Sequence, residues 1–387
     1  MSAPILIAGG GIGGLAAALA LAQAGQQVDL FERTAVFAEI GAGIQIGPNG
    51  QKMLERLGVI DEVMRLAVFP ESLVMMDSVT AQPVTTIPVG QAFRDRYRYP
   101  YTLVHRADLH GVLLLAAQSN DRITLHTGKQ VSGFEESGDR VDVAFTDGGG
   151  ASGAALIGAD GLWSSIRQSI VGDGPPRVSG HIAYRAVLPI EEISPEFRTN
   201  TMTLWAGPKN HLVHYPLRGG KLFNLVAVFH SDRYVEGWNT EGDPEELHRR
   251  FEGTCETVRT LLAKVDTWRL WVLCDREPVE NWSKGRVTLL GDAAHPMLQY
   301  LAQGAGMAME DAVCLAECVA ASENDLPAAF LRYQEQRYLR TGKCQIMARL
   351  YGEFYHAAGV RRDLRNAFLA GRDPAAAIEG LAWLYDV

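Results

Sequence analysis

Short unbroken apolar runs alternate with helical patterns at the start of the chain, long period-two runs fill its middle, and helical patterns close it. Ile5-Leu6-Ile7-Ala8 is the first apolar run, the pattern of a strand buried on both faces of a parallel sheet. A glycine-rich turn follows. Leu15 and Leu19 then share one face of a helix predicted over residues 15–24, and Gly25 stands where a left-handed C-cap belongs. Val28-Asp29-Leu30-Phe31 gives a second strand that ends at Glu32. Met53, Leu54 and Leu57 mark a helix that stops at Gly58, and another helix starts at Arg106. Residues 102–105, 123–126, 141–145, 155–159 and 286–290 read as further strands, with Gly148-Gly149-Gly150 as a hairpin turn.

From residue 175 to 275 the period changes to two over the runs 202–205, 211–215 and 222–229, with Arg218-Gly219-Gly220 turning between the last two. This pattern predicts an antiparallel sheet inserted into an α/β unit. Within it His211, Val213 and Tyr215 share one face, and Leu212 and His214 the other. The spacing leaves the His211/Tyr215 pair without a role, because a single strand histidine is most often structural or at the surface. Ala308, Ala312, Leu315 and Val319 line one face of a helix opened by Gln303-Gly304-Ala305-Gly306, and residues 327–355 are helical without a chemical motif. The expected fold class is α/β: a Rossmann-like dinucleotide-binding unit (1–70, 101–175 and 276–325), an inserted antiparallel-sheet unit (71–100 and 176–275), and a helical C-terminal region (326–387).

Composition narrows the class. With 387 residues, 47% of them hydrophobic, the chain can bury a large core. The net charge of −9 argues against nucleic-acid binding while leaving room for a small anion in a local pocket. No apolar run reaches the ~18 residues of a membrane span, and no basic stretch precedes the first helix, so a cytoplasmic protein is expected. Cys255, Cys274, Cys314, Cys318 and Cys344 form no C-x-x-C pair; Cys314 and Cys318 share a helix face without further ligand candidates, so reduced thiols and no metal site are expected.

The chemistry sits at strand ends. Gly9, Gly11 and Gly14 spell G-x-G-x-x-G directly after the first strand: Gly9 permits the turn, Gly11 lets backbone approach a pyrophosphate, and Gly14 lets the helix pack close. Glu32, eighteen residues after Gly14, stands where an acid accepts hydrogen bonds from an adenosine ribose. This unit predicts FAD or NAD and does not distinguish them. A second glycine-rich passage, Gly41 to Asn49, is either a plain connection or a loop lying along a flavin or pyrophosphate. Arg106 is a candidate phosphate or flavin contact. The strand at 155–159 delivers Asp160-Gly161, with Ser164 and Arg167 beyond it, and the strand at 286–290 delivers Gly291-Asp292 to the end of a sheet where α/β folds bind ligands. N–H groups at Gly304, Ala305 and Gly306 face an electron-rich ring edge in this reading.

The order of these three signatures resembles the single-component flavoprotein aromatic hydroxylases of the para-hydroxybenzoate hydroxylase type, over essentially the whole chain. Three stretches, 214–220, 275–282 and 291–304, are very similar to the 3-hydroxybenzoate 6-hydroxylases as a group; salicylate and 6-hydroxynicotinate hydroxylases are more distant. The resemblance implies FAD as cofactor, with Gly9, Gly11, Gly14 and Glu32 on its ADP half, Asp160 serving FAD and the nicotinamide nucleotide, and Asp292 on the ribityl chain. It further implies FAD contacts at Arg33, Gln45, Arg106 and Val131, and a substrate site lined by His211, Tyr215 and Gln299, with Tyr101 beside them.

The implied reaction has NADH reduce FAD, oxygen add at flavin C4a, and an OH pass to the carbon para to the phenol of 3-hydroxybenzoate, giving 2,5-dihydroxybenzoate (gentisate). His211 would be the base, as an imidazole with a pKa near ~6.5 suits phenol deprotonation. Tyr215 and Gln299 would orient the ring. The same chemistry on salicylate or a hydroxypyridine carboxylate is the nearest alternative. An NAD-dependent dehydrogenase or a cofactor-binding regulatory module is the alternative of another class. Expected partners are a small aromatic acid, NADH and O2, with no nucleic acid and no membrane, in a monomer or homodimer.

Overall fold

Two sheets divide the work in the computed structural model, which describes residues 3–37, 42–231, 240–323 and 325–387. The first has the strand order Ser283–Lys284, Val287–Leu289, Ala155–Gly158, Ile5–Ala8, Val28–Glu32, Ile123–Thr127. All its pairs are parallel except the hairpin of Ser283–Lys284 with Val287–Leu289. Ile5–Ala8 lies at its centre with every residue buried, which is why its sequence shows no alternation. The following helix is Ile12–Gln23, three residues longer at its start than predicted because the glycine turn already adopts helical backbone at Ile12. It is buried all round rather than on one face, lying between the helices Arg106–Gln118 and Gly304–Ala320. Gly25 closes it with φ +85°.

The chain leaves the central strand in opposite directions, toward Val28–Glu32 on one side and Ala155–Gly158 on the other. That reversal opens a crevice at the carboxyl ends, where an α/β sheet holds its ligand. Gly9 sits there with φ +109°, and a Cβ on it would lie 2.3 Å from the carbonyl oxygen of Ala159. A Cβ on Gly14 would lie 1.9 Å from the carbonyl oxygen of Gly9. The glycine pattern is thus required by backbone contacts before any ligand arrives.

The second sheet runs Thr240–Glu241, Arg269–Asp275, Arg177–Pro189, Leu222–His230, Asn210–Leu217, Thr201–Gly207, Ser72–Asp77, Pro83–Pro88. It is not wholly antiparallel as expected: Thr201–Gly207 pairs with Ser72–Asp77 in parallel. These strands come from distant segments joined by no hairpin, so no turn dictates their direction. One face, with Leu212, Leu225 and Trp268, is covered by two helices the sequence reading did not anticipate, Pro244–Phe251 and Glu256–Leu262. The other face, with Val213, Tyr215, Val226 and Val228, shares a core with Tyr101, Leu298, Tyr300 and Tyr385. Helix Leu326–Tyr355 ties both layers together, placing Phe330 and Tyr333 in the core of the first sheet and Cys344 and Ala348 in that of the second. Among the described residues no helix is long and apolar enough to cross a membrane.

Candidate active site

The crevice brings together several of the residues expected to meet a cofactor. Glu32 accepts a hydrogen bond from the Gly10 N–H (2.8 Å) through one carboxylate oxygen and from the Thr34 N–H (2.9 Å) through the other, so the acid also braces the glycine turn. Arg33 is exposed beside it. No atom lies within 4 Å of where a Cβ on Gly11 would be, so its missing side chain leaves a cradle open. Val131 is buried, and its carbonyl accepts a hydrogen bond from the Ser165 hydroxyl next to Asp160 (3.3 Å). Asp160 accepts from the Ser165 N–H through Oδ2 (2.9 Å), while its Oδ1 is buried without a partner. Burial pushes its carboxyl up, which marks an acceptor awaiting a donor.

Asp292 opens into the same crevice, its Oδ1 3.9 Å from where Gly304 would carry a Cβ. The surrounding protein pushes its carboxyl up although the side chain is open to the crevice, with His295 and Arg106 opposing. Helix Gly304–Ala320 begins beside it without a capping side chain, which leaves its first N–H groups open to an acceptor. An open cradle at Gly11, an orphaned acceptor at Asp160, an acid at Asp292 and an uncapped helix start together fit the diphosphate, sugar and ring of a flavin dinucleotide.

The loop of Asp292 is held from behind. Asp311 Oδ2 accepts from the Gly291 N–H (3.1 Å) and pairs with His295 Nε2 (2.5 Å), while its Oδ1 accepts from Arg337 Nε (2.7 Å). Burial alone would raise the Asp311 carboxyl, but His295 and Arg337 outweigh it and hold it at about 2. Ser164 and Arg167 of the second signature prove to be braces as well. Ser164 caps helix Ser165–Ile170 by accepting from the Arg167 N–H (2.9 Å), and the buried Arg167 donates to the carbonyls of Ala293 (3.0 Å) and Ala294 (2.5 Å).

Between the two sheets lies an aromatic cluster, where the substrate pocket is expected. Tyr101 donates to Gln45 Oε1 (2.5 Å), and Gln45 also bonds Tyr215, which puts Gln45 on the pocket wall rather than among the glycines of the crevice. The Tyr215 ring presses on Gly43, where a Cβ would lie 2.5 Å from the ring and 2.7 Å from its hydroxyl. Gly47 makes the same room for Tyr385. These glycines of the second passage are therefore explained by protein rings; Gly41 lies outside the described residues. Gln299 accepts from Arg185, whose Nε is buried without a partner and whose guanidinium lies over Trp271 (5.4 Å). Burial lowers the Arg185 pKa, and Tyr215 opposes that. Burial pushes the Tyr215 hydroxyl up to about 12.

Alternation holds: His211 and Tyr215 lie on the pocket face, and His214 lies on the other face against Phe223. The two are not in contact, since four strand residues span about 13 Å. His211 instead meets Tyr300 (ring centroids 5.6 Å), Tyr355 (5.8 Å) and His356, whose Nε2 is 2.7 Å from His211 Nδ1. The expected pKa near that of free imidazole does not hold: burial, then His181, keeps His211 at about 3. Arg185, Tyr300, Tyr355 and His356 escaped the sequence reading. Arg185 had a signal, as a cation inside the apolar run 182–188; His356 had none, following a helix without a motif. His181, His230 and His356 also converge, offering ring nitrogens within 4.8 Å of one another, which no ligand spacing in the sequence announces.

The FAD binding domain family matches residues 2–344 of the chain. The 3-hydroxybenzoate 6-hydroxylase of Polaromonas naphthalenivorans (strain CJ2) is 45% identical over 383 residues, covering 99% of this chain and 95% of the relative. The 3-hydroxybenzoate 6-hydroxylase 1 of Aquipseudomonas alcaligenes is 43% identical over 382 residues, covering 98% and 97%. The crystal structure of Klebsiella pneumoniae HpxO complexed with FAD and uric acid superposes with a TM-score of 0.87 at 29% identity, covering 99% of this chain and 96% of that one. With its crevice built for a flavin dinucleotide and these likenesses running nearly end to end, the chain belongs to the FAD binding domain family, among its FAD-dependent aromatic-ring monooxygenases.

Proposed function

We propose that the protein hydroxylates 3-hydroxybenzoate para to its phenol, giving 2,5-dihydroxybenzoate with NADH and O2 as co-substrates. The observation that carries this reading is the 43–45% identity, over nearly the whole chain, to relatives bearing that name. Gly9, Gly11, Gly14, Glu32, Arg33 and Val131 would hold the ADP half of FAD, and Asp160, Arg106, Asp292, Gln45 and the 304–306 helix start its remainder. The segments 1–70, 101–175 and 276–325 would form the cofactor unit, and 71–100 with 176–275 the substrate unit. When bound, FAD supplies hydride acceptance and oxygen activation, which no side chain can. NADH as the reductant, a cytoplasmic location and a monomer or homodimer complete this reading.

The chain's own residues position the ring and move its proton. Arg185, half-buried and without a carboxylate partner among the described residues, meets the substrate carboxylate, with Gln299 fixing its orientation. Tyr215 and Tyr101, braced through Gln45, flank the ring. His211, on the same face further along the strand, takes the phenol proton, which makes the ring electron-rich enough for attack. The aromatic walls exclude water from the reacting atoms. The test mixes FAD-loaded protein with NADH, oxygen and 3-hydroxybenzoate and separates the products by chromatography. Gentisate in step with NADH consumed is the expected result; peroxide without gentisate would overturn the substrate assignment.

A further inference from the structure

The base given to the phenol is walled in. His211 is 2% exposed, and a buried imidazole is a poor place to leave a charge, so a proton taken there has to move on. A path is built beside it. His211 Nδ1 lies 2.7 Å from His356 Nε2, and His356 Nδ1 lies 2.9 Å from His230 Nε2. His356, 4% exposed, thus presents one nitrogen to each neighbour, and of the three rings His230 alone is not buried. Backbone fixes the alignment: Lys209, turning at φ +60° between strands Thr201–Gly207 and Asn210–Leu217, donates to the His356 carbonyl (3.0 Å) and accepts from the His230 N–H (3.0 Å).

We propose that His211, His356 and His230 form a proton wire from the substrate's phenol to solvent, a proposal that rests on His211 being the base. The phenol O–H bond breaks as His211 Nε2–H forms, and the His211 Nδ1 proton passes to His356 Nε2. The His356 Nδ1 proton passes to His230 Nε2, and His230 gives its Nδ1 proton to water. As the product ring rearomatises, the proton on its newly hydroxylated carbon leaves to water and the wire, run in reverse, returns a proton to the oxygen, which restores the starting tautomers. Burial keeps His211, His356 and His230 below the usual imidazole range, so all three rest neutral and ready to relay. His356 caps the C-terminal end of the 30-residue helix, whose partial negative charge eases a passing imidazolium. His181 and Tyr300 face the wire from one side, Tyr355 faces His211, Arg365 faces His356, and Glu353, Lys209 and Arg250 face His230.

The test uses FAD-loaded protein and 3-hydroxy-4-nitrobenzoate, whose phenolate absorbs visible light, at a pH where the free ligand is protonated. Stopped-flow mixing in weak buffer with a pH-indicating dye follows deprotonation of the bound ligand and release of its proton. His356→Phe is expected to slow both by about 100-fold, the scale of one acid–base group, while the ligand still binds. His230→Ala is expected to slow them too, with added imidazole restoring the rate. Wild-type rates in His356→Phe, with slow deprotonation in His211→Ala, overturn the wire and leave the base standing. Wild-type rates in His211→Ala overturn the base itself. Should His356→Phe fail to hold FAD, His230→Ala decides: a rate unchanged by that substitution overturns the wire, and a slowed rate that imidazole rescues supports it.

Discussion

Arg185 decides how tightly an aromatic acid is held. Its Nε has no partner, one Nη is spent on Gln299, and a carboxylate arriving between them completes a charge-assisted pair away from bulk water. Such a bond contributes about 1.5–3 kcal/mol, so Arg185→Gln should raise KM for 3-hydroxybenzoate roughly 10- to 100-fold. Steady-state kinetics checks this, and Arg185→Lys should recover only part of the loss because a point charge lacks the planar fork. Gly43→Ala tests the opposite wall. Its new Cβ would stand 2.5 Å from the Tyr215 ring, an overpacking that costs about 1–3 kcal/mol or moves the tyrosine. Gentisate formed per NADH should fall while FAD content stays normal; unchanged coupling would free Tyr215 of any positioning role. At this scale the sequence showed glycines and acids well, since Gly9 and Asp160 act through backbone geometry that a motif encodes. It showed Gly43 and Arg185 poorly, because their partners Tyr215 and Gln299 lie more than 100 residues away in the chain.

At the scale of elements, the helix Gly304–Ala320 carries the Asp292 loop through one carboxylate. Asp311 sits at about 2 when folded against ~3.9 in an unfolded chain. A depressed folded pKa contributes stability that is present above pH ~4 and lost as pH falls toward 2; a shift of roughly two units corresponds to about 2–3 kcal/mol. Asp311→Asn should therefore melt several degrees below the wild type at pH 7, and the gap should close between pH 4 and 2. Calorimetry across that range checks it; a gap of constant size down to pH 2 would remove Asp311 as the charged anchor. Periodicity located this helix and its buried face, yet Asp311 reads in the sequence as an ordinary surface acid of a polar turn. Only the arrival of His295 and Arg337 from other elements gives it a reason to be buried. The same limit hid the helices Pro244–Phe251 and Glu256–Leu262, whose apolar faces are short and make sense only against the sheet they cover.

Over the whole molecule, the pocket exists because two sheets are held at one distance, and a seam of four arginines sets it. The chain passes into the second sheet near Asp173 and out of it at Asp275. Asp173 accepts from Arg167 (2.6 Å) and Arg276 (2.9 Å), and Asp275 accepts from Arg177 (2.9 Å) and Arg349 (2.6 Å). Arg167 also grips the carbonyls behind Asp292, and Arg349 belongs to the helix that ends at Tyr355 and His356. The flavin side, the substrate sheet and the helix behind His211 are thus pinned at one point. Asp275 is wholly buried, so Asp275→Asn removes the charge between Arg177, which is half exposed, and Arg349, which keeps Glu277 at 2.8 Å; losing charge-assisted hydrogen bonds of this kind costs about 1.5–3 kcal/mol. The melting temperature should drop, protease should cut more readily near 173–177, and NADH should be consumed with less gentisate made, because His211 and Tyr215 ride on one side of the seam and Gln299 on the other. Adding Arg349→Met to Asp275→Asn removes the guanidinium left facing the buried amide and should regain part of both losses. If the double variant is no better than Asp275→Asn alone, packing rather than charge pairing holds the sheets in register.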